Sequence, residues 1–440
     1  VELRDLVVTP VLLILIYVLA YIIRPYVTDD INRRYFFPAL TVKIIGALAI
    51  GFIYQFYYNG GDTFNYHTYG SRIIWNAIID SPDGFRLLTG SNEPGLYRYT
   101  SRILFFNDPS SFFIVRIAAV FDLITFSSYS ATALLFAVLS FVGMWLFFKA
   151  FYSLVPHMHG WIALAAFFIP SVFFWGSGLL KDTITLASVG VLTYAMKQIL
   201  IDKKFKLGSI LLLIISAYAL FEIKKYILLC FLPAAILWIY FSNLSRIKSL
   251  MLRAMLMPFV ILIVVGSGYW AVLKIGENDE RYSLSRLPET ARITAYDIGF
   301  YTGKNAGSRY SLGEFDGTFT SILKLSPQAV NVALFRPYLW EVKNPLMLLS
   351  ALESFVILMF TIYVLFVRRQ VLFKMLVNPH VVFCLVFSIT FAFAVGLSTF
   401  NFGTLARYKI PLLPFYIMAL SLMMDYSKSE KKLDIFEETE

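Results

Sequence analysis

The chain has 440 residues, 58% of them hydrophobic and only 15% charged, with a mean hydropathy of +0.70. Soluble domains are about 45–50% apolar and about 25% charged, so this composition cannot cover a fold of this size with polar surface, and a soluble globular protein is excluded. The net charge of +10 is spread over the segments between apolar runs rather than gathered on one basic face, which fits a membrane protein and not a nucleic-acid binder.

A spanning helix needs about 20 mostly apolar residues. In chain order that criterion predicts about eleven spans, at 7–23, 39–57, 131–148, 161–176, 182–200, 207–221, 226–243, 255–275, 345–367, 377–397 and 409–425. The expected fold is an all-α polytopic membrane protein, with residues 1–440 forming a single membrane domain. The first apolar run lacks the basic start and small-residue cleavage site of a signal peptide. Cys230 and Cys384 both lie inside apolar runs, so no disulfide framework is expected.

Basic residues orient the spans. One set of connections carries Arg24, Arg33, Arg34, Lys149, Lys197, Lys203, Lys204 and Lys206, followed by Arg246, Lys248, Arg253, Arg368, Arg369, Lys374 and the tail lysines. The opposite connections hold only Arg4, Lys181, Lys224, Lys225, Arg407 and Lys409. The first set marks the cytoplasmic face, which places the N-terminus outside and the C-terminus inside.

Two long segments then fall outside. Residues 58–130 form an external loop with amphipathic pieces near 64–79 and at 111–126. The second piece is apolar but contains Arg116 and Asp122. A charge at mid-bilayer costs about 3 kcal/mol or more, so it is read as an interfacial helix and not as a twelfth span. Residues 276–344 form a second, Gly-rich external loop long enough to suggest a functional role. Residues 426–440 form a charged cytoplasmic tail, expected to fray.

On this layout the unusual polar residues share the outer face. Asp62 follows two glycines in NGGDTFNYHTY, where a carboxylate can serve as general base or hold a divalent cation; the plainer role is a helix-end cap. Lys181 and Asp182 close PSVFFWGSGLLKD, where Pro170 and the GSG at 176–178 interrupt the apolar pattern and turn backbone groups toward a cavity. A snorkelling lysine and an N-cap aspartate explain them equally well. Arg407 and Lys409 precede Pro411 and Pro414 in RYKIPLLP; an outer arginine there needs an anion, either a phosphate or an internal carboxylate. Arg336 reads the same way, with Glu341 nearby. His67 and Arg102 are secondary candidates, Arg98 and Arg102 being spaced as neighbours on a helix or as a solvated face. The four histidines show no metal-ligand spacing.

Asp62 opening a large external loop, the helical membrane body and the RYKIPLLP entry to the last span together resemble the GT-C superfamily of integral-membrane glycosyltransferases, including aminoarabinose and protein-mannosyl transferases. The sequence departs from that pattern in its extra N-terminal helix, its single rather than paired acidic residue and its lack of a C-terminal soluble domain. The resemblance implies transfer of a sugar from a polyprenyl-phosphate-type donor to a glycan, lipid or protein acceptor, at the outer face of a bacterial inner membrane. Asp62 would be the base, with Arg407, Arg336, Lys181 and Lys409 on the phosphate. A polysaccharide polymerase or ligase using lipid-linked oligosaccharides shares this logic. A lipid-linked glycan flippase is the competing class, and it predicts charges inside the spans.

Overall fold

The computed structural model describes residues 2–90, 92–244, 310, 312, 324–367, 369 and 378–437, with side chains to residue 425. Seven of the described helices are long and apolar enough to cross a membrane: Leu3–Val27, Arg33–Phe56, Tyr129–Tyr152, Lys181–Ile201, Lys225–Leu244, Pro345–Val367 and Pro379–Thr399. The chain is an α-helical membrane protein. Shorter apolar helices at Leu207–Ile223 and Leu413–Asp425 match two more expected segments, while the segment 255–275 lies outside the described residues.

The segment 161–176 differs from expectation, because it is not one helix. A helix at His159–Ala163 passes into a π-helical turn at Leu164–Phe168, and a new helix starts at Pro170. Proline lacks an N–H and pushes the preceding residue out of helical geometry. Ile169 is accordingly extended, at φ −75° and ψ 123°.

Contacts divide the chain into two compact units, one of Val1–Ala195 with Phe205–Lys224 and the other of Met196–Lys204 with Lys225–Glu440. The sequence alone suggests one domain, since apolar spans look alike whichever neighbour they choose. The first unit contains α1 (Leu3–Val27), α2 (Arg33–Phe56), α3 (Asp62–Tyr66), α4 (Arg72–Asp80), α5 (Tyr97–Thr100), α6 (Pro109–Thr125) and α7 (Tyr129–Tyr152). It continues with α8 (His159–Ala163), α9 (Pro170–Trp175), α10 (Lys181–Met196) and α11 (Leu207–Ile223).

Close backbone approach organises this unit. A Cβ on Gly46 of α2 would lie 2.4 Å from the Phe173 carbonyl oxygen of α9, and one on Gly143 of α7 would lie 2.4 Å from that of Ala187 on α10. Small residues let membrane helices gain van der Waals contact where apolar lipid offers no hydrophobic drive. The 58–130 segment packs against the helices around it. Its Tyr66, Ile74, Leu87, Leu96, Phe112 and Val115 share one buried cluster with Ile50 of α2 and Leu180 at the entrance to α10. Helix α6 buries Ile114, Val115, Ala118, Ala119 and Asp122 and leaves Val120 and Ile124 exposed.

The second unit contains α12 (Lys225–Leu244), α13 (Ser326–Phe335), α14 (Pro345–Val367), α15 (Pro379–Thr399), α16 (Phe402–Tyr408) and α17 (Leu413–Glu437). Trp238 of α12 stacks on Phe383 of α15 with ring centroids 4.2 Å apart. The expected 276–344 loop thus ends in a helix, α13, whose Ala329, Val332, Ala333 and Leu334 are buried. Helix α17 runs on to Glu437.

Candidate functional site

Lys43 lies fully buried in α2, and its Nζ donates to the carbonyls of Val172 at 3.1 Å and Gly176 at 3.0 Å. Ser140 Oγ donates to the same Gly176 carbonyl. These are the carbonyls that α9 leaves open at its C-terminal end, where a cation is also favoured by the helix dipole. The irregular stretch that follows, residues 176–180, is buried throughout. Non-helical backbone at membrane depth survives where protein supplies its hydrogen bonds. Thr183 Oγ1 closes this stretch by donating to the Gly178 carbonyl at 2.6 Å.

The clamp delivers the chain to Lys181, at the first position of α10. Lys181 Nζ donates to Ser110 Oγ at 2.6 Å and lies 3.3 Å from Asp108 Oδ2. Asp108 is the N-cap of α6 and also accepts from Ser110 and Ser111. Partial burial would raise the Asp108 carboxyl, but the bonds from Ser111 and Ser110 and the Lys181 ammonium hold it below its usual value. One residue on, Asp182 Oδ1 lies 2.5 Å from Lys224 Nζ, with both side chains almost wholly buried. Lys224 is the C-cap of α11. Two cations and two carboxylates from three helices therefore meet at the interrupted end of one membrane helix. The Lys181 side chain keeps 19% of its surface open and Asp108 keeps 46%, so the outer pair is accessible while the inner pair is not.

Asp62 belongs to the same unit. Asn59, Gly60 and Gly61 all take positive φ, at 55°, 129° and 122°. Two of the three being glycine, the chain can reverse there at low steric cost. Asp62 then opens α3 and is partly buried. Among the described residues no group of three or more His, Cys, Asp and Glu could hold a metal ion. His67 begins the π-helical turn after α3 and is fully buried, with Nε2 3.5 Å from Asp122 Oδ1. Asp122 in turn accepts from Thr132 Oγ1 at 2.6 Å. The Arg98–Arg102 ridge does not form, because α5 ends at Thr100 and Arg102 sits in the exposed turn beyond it. Arg98 instead lies over the Tyr99 ring.

In the second unit, Arg336 is engaged by Glu341. Its Nε lies 3.0–3.1 Å from both carboxylate oxygens, and its guanidinium is 5.3 Å from the Phe402 ring centroid. The pairing with Glu341 is the internal ion pair that the sequence offered as the alternative to a phosphate. Lys409 is fully buried and donates to Ser354 Oγ at 3.0 Å, so it too is held within the protein. Arg407 lies in the last turn of α16, partly buried.

Sequence reasoning found Lys181 and Asp182 but not their partners Asp108 and Lys224. Lys224 carried a signal: a lysine on the face otherwise poor in positive charge, between two apolar helices. Asp108 carried a weaker one, the N-cap spacing D-P-S-S before an apolar run. No protein-family model matches the chain, nor does a curated protein or a solved structure.

Proposed function

We propose that the chain is a membrane glycosyltransferase, moving a sugar from a polyprenyl-phosphate-type donor to an acceptor at the face that carries Lys181. The observation behind this reading is the ionic cluster of Asp108, Lys181, Asp182 and Lys224 at an interrupted membrane helix. Ionisable groups at membrane depth are costly and mark functional sites by default, and here the outer pair, Lys181 with Asp108, is open to a charged ligand. An arriving phosphate takes the place of Asp108 as partner of Lys181 and gains the positive end of α10. Asp62, after the double-glycine turn, accepts the proton of the acceptor hydroxyl, and Lys181 offsets charge growing on the departing phosphate. The chemistry is displacement at the anomeric carbon, the sugar leaving the donor phosphate for the acceptor oxygen.

Lys43 favours this reading over a flippase. It is a charge buried within a span, yet backbone carbonyls of the same unit engage its ammonium, which gives it a structural role.

The test is transfer of radiolabelled sugar from a panel of polyprenyl-phosphate donors by the purified full-length chain in nanodiscs. Lys181→Met is expected to lower the rate by about 10²–10³ and Asp62→Asn by about 10²–10⁴, with elution and melting unchanged. Arg407→Ala belongs beside them. Absence of wild-type transfer from every donor, or wild-type rates in both unit-1 variants, overturns the proposal.

A further inference from the structure

Helix α1 packs little against the rest of the protein, with 11% of its apolar window buried. Along it Leu13, Ile14, Tyr17, Val18 and Tyr21 join Phe37 of α2 to line an open groove of about 500 Å³. The lining is almost entirely apolar, and Ile14 and Tyr21 are 64% and 70% exposed. Tyr17 does not offer its hydroxyl to the groove, since it is bonded to Thr41 Oγ1 at 2.7 Å. From Leu13 to Tyr21 the groove runs about 12 Å along the helix, a length that an acyl chain fills.

One end of the groove is basic. Arg24 lies one turn beyond Tyr21, with its guanidinium 5.0 Å from the centroid of Phe37, itself a lining residue. It donates a hydrogen bond to the neutral Arg33 carbonyl at 3.2 Å, and no carboxylate pairs with it among the described residues. Arg34, at the start of α2, contacts His159 and the Tyr35 ring, again without a carboxylate. The nearby acids are otherwise occupied. Asp29 accepts from the Ile31 and Asn32 backbone and from Tyr152, and Asp30 pairs with the exposed Arg33.

We propose that the α1–α2 groove is a binding site for an anionic glycerophospholipid, with an acyl chain along Leu13–Tyr21 and the phosphate on Arg24 and Arg34. An uncharged apolar groove takes any lipid tail. Arg24 on the Phe37 ring and Arg34 one helical turn before Phe37 on α2, both without carboxylate partners among the described residues, add selection by headgroup charge, and guanidinium binds phosphate through paired hydrogen bonds. The site is independent of the ionic cluster at Lys181.

Native mass spectrometry of the full-length protein in detergent, titrated with phosphatidylglycerol or phosphatidylcholine of matched chains, tests the site. The wild type is expected to retain phosphatidylglycerol preferentially. Arg24→Ala and Arg34→Ala should each weaken that retention about fivefold, and together about 25-fold, while phosphatidylcholine retention stays level. Val18→Trp, which fills the groove, should reduce retention of both lipids. Equal retention of the two lipids by the wild type, or an unchanged preference in the double variant with an unaltered melting curve, overturns the proposal.

Discussion

Lys224 Nζ meets Asp182 Oδ1 at 2.5 Å although 42 residues separate them in the chain. The pair joins the end of α11 to the start of α10 and is closed to solvent. Removing one partner leaves the other charge buried, which costs about 3–5 kcal/mol. Lys224→Met and Asp182→Leu are each expected to lower stability by about that amount. The combined variant should recover most of it, because a well-packed apolar pair can replace a buried ion pair. Melting curves of the four proteins in one detergent provide the measurement. Additive losses in the double variant would show that the two side chains do not act as a pair.

Lys43→Met removes both bonds from the ammonium to the α9 carbonyls. Hydrogen bonds to a charged group contribute about 1.5–3 kcal/mol each, so the variant should melt well below wild type. The same loss frees residues 176–180, and a cysteine placed at Ser177 should become reactive to a small thiol reagent only in the Lys43→Met background. Equal labelling in both backgrounds would argue against the clamp.

Gly46→Ala is expected to destabilise by about 1–3 kcal/mol, since the new Cβ would overlap the Phe173 carbonyl oxygen of α9 at 2.4 Å. Gly95 provides the control, with nothing within 4 Å of an added Cβ, and Gly95→Ala should leave the melting temperature unchanged. Matching shifts in the two variants would refute the packing argument.

The Arg336–Glu341 pair predicts a pH dependence. Burial alone would raise the Glu341 carboxyl, but bonds from Arg336 and the Tyr338 N–H hold it below its ordinary value. A carboxyl depressed in the folded state stabilises fully above its unfolded value, about 4.3 for Glu, and loses that contribution as pH falls through the folded value. Glu341→Gln should therefore melt below wild type at pH 7, with the gap closing below about pH 4. A gap independent of pH would indicate that the glutamate acts through shape alone.

Parts of this site were legible in the residues. The NGG turn before Asp62 could be read directly, because few residues other than glycine accept such φ values. The break near Pro170 was visible as an interruption, but it was placed inside a continuous span, since the hydropathy of 161–176 is set by side chains and is blind to a missing backbone N–H. Arg336 illustrates the other limit. Its carboxylate partner stood five residues away in plain view, and only tertiary geometry shows the two meeting through both carboxylate oxygens.

Composition and local order thus determine that the chain enters a membrane as helices, which stretches are apolar enough to do so, and where glycine and proline interrupt them. Those properties are sums over neighbouring residues. Tertiary structure alone decides what each charge meets: carbonyls for Lys43, Ser110 and Asp108 for Lys181, Asp182 for Lys224. In an apolar medium a charge takes whichever polar group packing brings within about 3 Å, and that depends on which helices adjoin, a choice made across many tens of residues.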